Sequence, residues 1–129
     1  MTIINVQSIK DAVSKGALID LVSDYRTAGI AKASLPKNTP CAMSMESYRQ
    51  HVQRGTISDR RSRVESICSF LGKALGLGIK PSQPDSRFRF PKQGEIPEST
   101  LLKLEWYAPD ECWVVLLAEE ELRHVLKPA

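Results

Sequence analysis

"LLKLEWYAPDECWVVLLA", residues 101–118, is the stretch from which the fold is read. Leu102, Leu104 and Trp106 recur with a period of two, which places them on one face of a strand. "APDE" at 108–111 supplies the proline and acid of a tight turn. "CWVVLLA" at 112–118 is apolar at every position, the pattern of a central strand covered on both faces. Upstream, "RFRF" at 87–90 alternates too, Phe88 and Phe90 facing one way and Arg87 and Arg89 the other. The three segments predict an antiparallel meander. Trp106 and Trp113 flank its second turn, where core or cross-strand packing is the expected role.

Before the meander the apolar period is nearer 3.6. Ser8 is positioned to cap a first helix, with Asp11 three residues on and Ile9, Ala12 and Val13 along one side. Gly16 interrupts it. Leu18, Leu21, Val22 and Tyr25 restart the helical spacing, so one kinked helix or two short ones are expected, ending near Gly29. "LPKNTPCA" at 35–42 suits a loop. Ser44 is the next cap, followed by Met45, Tyr48 and Val52 on a helix of about three turns that Gly55 stops. Ile57 and Ser58 open the clearest helix, striped by Val64, Ile67, Cys68, Leu71, Ala74 and Leu75 and ended by "GLG" at 76–78. After the meander, Glu119, Glu120 and Glu121 carry the charge sign favoured at a helix start and Lys127 that favoured at a helix end. The expected class is therefore α+β: an N-terminal helical half, a three-stranded antiparallel meander and a short C-terminal helix. This order leaves room for a winged-helix-like arrangement.

With 129 residues, 42% apolar and 26% charged, the chain fits one domain, 1–129, of globular composition. Its longest apolar run, at 112–118, is far shorter than the roughly 20 residues of a membrane helix. The N-terminus lacks the basic start and sustained apolar stretch of a secretory signal. Three widely spaced cysteines, Cys41, Cys68 and Cys112, argue for a reducing compartment and against a disulfide framework, so a cytoplasmic location is expected.

A net charge of +3 conceals an uneven distribution. Residues 49–63 hold Arg49, Arg54, Arg60, Arg61 and Arg63 against Asp59 alone, whereas residues 98–129 hold three basic and seven acidic side chains. With Ser58 as cap, Arg60, Arg61 and Arg63 fall within the first five helical positions. There they meet unpaired N–H groups and the positive end of the helix dipole, at a cost of roughly 0.3–1 kcal/mol per charge in the first turn. A bound phosphate would reverse the sign of that contact.

"SYRQHVQRGTI" at 47–57 locally resembles the recognition-helix segment of small helix-turn-helix and excisionase-like DNA-binding proteins, in which a polar, arginine-bearing helix ends in Gly-x-Ile or Gly-x-Leu. The likeness covers eleven residues. Around it the chain differs from those families, with a proline-rich loop before the segment and a long helix after it. The resemblance implies that Arg49, Gln50 and Gln53 reach base edges while Arg54 holds the backbone. Arg60, Arg61 and Arg63 would be phosphate contacts that position without specifying. Two alternatives stand beside this reading. In one the arginines form a solvated face, or meet Glu119–Glu121 within the chain or across a homodimer. In the other the protein is an inhibitor or adaptor, of the kind encoded by mobile elements, whose basic face grips an acidic protein surface or competes with nucleic acid.

Elsewhere the chemistry is sparse. His51 and His124 are expected to be exposed, and neither Cys-x-x-Cys nor a histidine pair at i, i+4 marks a metal site. Cys68 and Cys112 are expected to act as small hydrophobes, while Cys41 in its loop is a candidate reactive thiol. "DE" at 110–111 could pair as acid and base, though the turn itself calls for polar residues. "GKALGLG" at 72–78 is superficially similar to a phosphate-binding loop but lacks the preceding strand and the Lys-Ser/Thr ending, so a helix stop is expected. The sequence thus predicts a small non-enzymatic nucleic-acid-binding or regulatory protein, with no cofactor and no metal.

Overall fold

The computed structural model describes residues 2–36, 39–53, 56–76, 86–89 and 101–126. At its centre is the predicted hairpin. β5 (Leu101–Tyr107) and β6 (Cys112–Leu117) pair antiparallel, and β4 (Ser86–Arg89) adds to the far side of β5, completing the meander. Trp106 and Trp113 sit directly opposite one another with ring centroids 5.0 Å apart, edge to face. The turn is a short 3-10 segment, Ala108–Asp110, closed by Glu111 in the left-handed region at φ 50°. All six residues of β6 are buried, as a strand covered on both faces requires. The alternation expected for "RFRF" lies outside the described residues.

The helical half differs from expectation. Only α1 (Ile9–Ser14) forms in the first segment, capped by Ser8 Oγ accepting from Asp11 N. Gly16, at φ +80°, then turns the chain into a strand, β2 (Leu18–Asp20). Leu18 and Ile19 are buried on opposite faces of the sheet, a period of two that the Leu18–Leu21–Val22 spacing disguised as helix. The Asp20 carboxylate accepts from Val22 N and Ser23 N at 3.0 and 3.3 Å, holding the next residues in a turn. α2 (Ala28–Ser34) follows. Cys41, read as loop, already belongs to β3 (Cys41–Ser44).

β3 runs parallel to β6 and antiparallel to β2, giving a five-stranded sheet of order β2-β3-β6-β5-β4. Strands from the helical half thus enter the sheet, which sets the layout apart from a winged helix. A second correction concerns the C-terminus. In place of a helix, Glu120–His124 forms β7, paired parallel with β1 (Thr2–Val6) as a separate two-stranded sheet. The reason lies in Glu120. It is 3% exposed, and its Oε1 accepts from Leu117 N at 2.8 Å and from Ser44 Oγ, so the carboxylate holds the β6–β7 turn instead of opening a helix.

The molecule is mixed α+β in three layers. Trp113, Val115 and Leu117 of β6, with Leu102 and Leu104 of β5, face α2, α3 (Met45–His51) and α4 (Ile57–Gly76). Cys112, Val114 and Leu116 face α1 and the β1–β7 pair. Asp110 ties the hairpin to that second layer, accepting from Ile9 N at 2.5 Å, so its acid serves as an anchor for α1. No described helix is long and apolar enough to cross a membrane.

Candidate nucleic-acid interface

α3 begins where expected, with Ser44 Oγ accepting from Ser47 N at 3.1 Å. At seven residues it makes two turns instead of three. Ser47, Tyr48 and His51 form its buried side, and this is why His51 is 1% exposed and not the surface group its neighbours suggested. On the outer side Arg49 and Gln50 both engage Glu46: Arg49 Nη1 lies 3.7 Å from one carboxylate oxygen, and Gln50 Nε2 donates to the other at 3.1 Å. Gln53 is exposed and lies along the groove described below. Arg54 and Gly55 lie outside the described residues.

α4 starts at Ile57, with its cap two residues before Ser58. Thr56 and Asp59 cap it reciprocally, Thr56 N donating to Asp59 Oδ2 at 3.1 Å and Asp59 N donating to Thr56 Oγ1 at 3.2 Å. Hydrogen bonding to Thr56, first through its backbone N–H, with Arg63 one turn on, holds the Asp59 carboxyl below the usual aspartate range. The capping box moves Arg60 and Arg61 to the fourth and fifth helical positions and supplies the anion that the first turn favours. The dipole conflict read from the sequence is therefore smaller than it looked. Arg60 and Arg61 are exposed and make no ion pair among the described residues. Arg63 is 6% exposed, so it is set apart from the two surface arginines.

Across from them stands a segment that the sequence reading placed on a helix. Arg26 clasps Asp24 in a fork, Nε to Oδ1 at 2.9 Å and Nη2 to Oδ2 at 3.1 Å. The pair holds the Asp24 carboxyl low and the Arg26 guanidinium high. Thr27 Oγ1, buried, donates to Leu21 O at 2.7 Å and fixes the loop. The Arg26 guanidinium lies over two rings, 5.6 Å from the centroid of Tyr25 and 5.2 Å from that of Tyr48. Tyr48 is buried, which pushes its hydroxyl pKa up against the opposing pull of Arg26. Tyr25 is 90% exposed.

Between the two elements runs a groove of about 1000 Å³. Gly29, Ala33 and Ser34 on α2 keep its wall low, Ile30 and Val64 add apolar lining, and Arg26, Arg60, Arg61 and Gln53 supply its donors. Glu65 is its acid. α2 and α4 close on each other at one end, where a Cβ on Gly72 would overlap the carbonyl oxygen of Ser34. Gly72 is thus a packing residue, not part of a phosphate loop.

The alternative contact within the chain between the arginines and Glu119–Glu121 is not formed with Arg49, Arg60 or Arg61 among the described residues. His124 lies on β7, its Nδ1 2.5 Å from the Tyr107 hydroxyl, which also meets the carbonyls of Val6 and Gln7 at 3.1 and 3.2 Å. Cys41, the candidate reactive thiol, is 1% exposed, and burial pushes its pKa far up. Among the described residues no three histidine, cysteine, aspartate or glutamate side chains gather as metal ligands do.

Sequence reasoning found Arg60, Arg61 and Gln53 on the groove but missed Tyr25, Arg26, Tyr48 and Ile57. The polar run "SDYRTAG" at 23–29 was the available loop signal, and the apolar spacing around Tyr25 masked it. No family model, curated protein or solved structure matches the chain.

Proposed function

We propose that this protein binds nucleic acid through the groove between α2 and α4, with Arg60 and Arg61 taking phosphate oxygens. One observation carries the reading: two exposed guanidinium groups without carboxylate partners among the described residues face a third guanidinium that is already stacked on tyrosine. Charge-assisted forks suit phosphate, and rings interleaved with arginine suit bases. The contact surface thereby shifts from the helix pair α3 and α4 to α4 and the Tyr25–Arg26 loop. Arg49 and Gln50, held by Glu46, do not line it.

The test is fluorescence anisotropy with a labelled oligonucleotide over a range of salt. Affinity should fall linearly on logarithmic axes. Replacing Arg60 and Arg61 by alanine should weaken binding and flatten the slope by about one unit per arginine. Since both side chains are exposed, the variant should melt as the wild type does. An unchanged slope would remove the arginines from the interface. Absence of binding at low salt would overturn the proposal and favour an acidic protein partner.

A further inference from the structure

We infer that the nucleic acid this groove takes is single-stranded, with an unpaired base stacked on Tyr25. The inference rests on the nucleic-acid reading of the same groove and adds the form of the ligand.

Three features point to an unpaired strand. First, Tyr25 is 90% exposed although it is a large ring, and one side of it is occupied by the Arg26 guanidinium, 5.6 Å from its centroid. Arg26 is itself fixed by the fork to Asp24 and by Tyr48 beneath it, so the ring is pre-oriented at little entropic cost. A flat aromatic face presented in this way fits a base plane, and only a base out of a duplex stack offers one.

Second, the groove is concave and its lining is part apolar. Ile30 and Val64 line it, and Ile57 at its edge is 79% exposed. Apolar surface of this kind gains nothing from a phosphate backbone but covers the faces of splayed bases. Arg60 and Arg61 then track the strand's phosphates along α4.

Third, the element that would enter a duplex major groove is poorly placed to do so. α3 is seven residues long, its Ser47, Tyr48 and His51 are buried, and Glu46 on its outer side engages both Arg49 and Gln50. The donors of Arg49 and Gln50 that would read base edges are directed at that carboxylate instead.

The experiment compares labelled oligothymidylate, oligouridylate and a mixed-sequence duplex, each about 16 nucleotides or base pairs long, an upper site size for such grooves. Wild type, Tyr25→Ala, Tyr25→Phe and the Arg60→Ala/Arg61→Ala double variant are titrated with each. The single strands are expected to bind at least about tenfold more tightly than the duplex. Tyr25→Ala should lose about tenfold on the single strands alone, in line with the stacking contribution of one base, and Tyr25→Phe should retain wild-type affinity. Comparison of the two single strands tells DNA from RNA. Equal binding of duplex and single strand, with Tyr25→Ala silent and the arginine variant weakened on both, would overturn the single-strand inference and leave the groove reading standing. No binding of any probe at low salt would overturn both.

Discussion

Tyr25 shows how one residue's role depends on a neighbour that pattern alone does not reveal. In the sequence it continues an apolar spacing from Leu18, but in the fold it projects into solvent because Asp20 and Asp24 each turn the backbone with their own side chains. Arg60 and Arg61 were legible because exposed charge on a long helix depends only on helical period. Arg26 was not, since its position across the groove is set by tertiary packing. Gly72 makes a comparable point about space. Alanine in a helix interior is ordinarily about 1 kcal/mol better than glycine. Here the Cβ meets the Ser34 backbone oxygen, which cannot rotate away. Gly72→Ala should therefore destabilise the protein by roughly 1–3 kcal/mol, seen as a lower urea midpoint at constant slope. A stabilised variant would show that α2 and α4 do not approach as closely as described.

At the scale of elements, α4 and β6 were readable because each keeps one pattern without interruption, the helical stripe of α4 within 20 residues and the apolar run of β6 over six. Two short elements, β2 and β7, were not. β2 has three residues, too few to tell a period of two from 3.6, and the three glutamates at 119–121 imitate a helix start while one of them is buried under a turn. Glu120 links elements that the sequence separates by 76 positions, since Ser44, the cap of α3, also donates to its carboxylate. Ser44→Ala removes the cap from Ser47 N and one donor from a buried carboxylate. A loss of about 2–3 kcal/mol in chemical denaturation is expected. Retention of full stability would mean that the carboxylate finds another donor. The capping box of Thr56 and Asp59 has a different consequence, because it satisfies the first turn of α4 internally and leaves Arg60 and Arg61 directed at the groove.

For the whole molecule, three cysteines buried in two cores make stability sensitive to alkali. Burial pushes the Cys68 thiol up to about 11 and that of Cys112 up to about 12, from an ordinary 9.0, and raises Cys41 as well. The folded state thus holds these protons more tightly than the unfolded chain. Their contribution is complete below pH 9.0 and is lost as pH rises toward those values. The urea midpoint should fall above pH 9.0, and a disulfide reagent should label the thiols only after unfolding. Rapid labelling of the native protein would contradict the burial of all three.

The layered fold puts the groove on one side of the sheet and the β1–β7 pair on the other. Mapping amide chemical shifts during titration with an unlabelled oligonucleotide therefore tests the central claim most directly. The groove reading predicts perturbations at Tyr25, Arg26, Gly29 and Ile30 and from Ile57 to Glu65, with α1, β1 and β7 unmoved. Shifts confined to the β1–β7 face, or none at a saturating concentration, would contradict it.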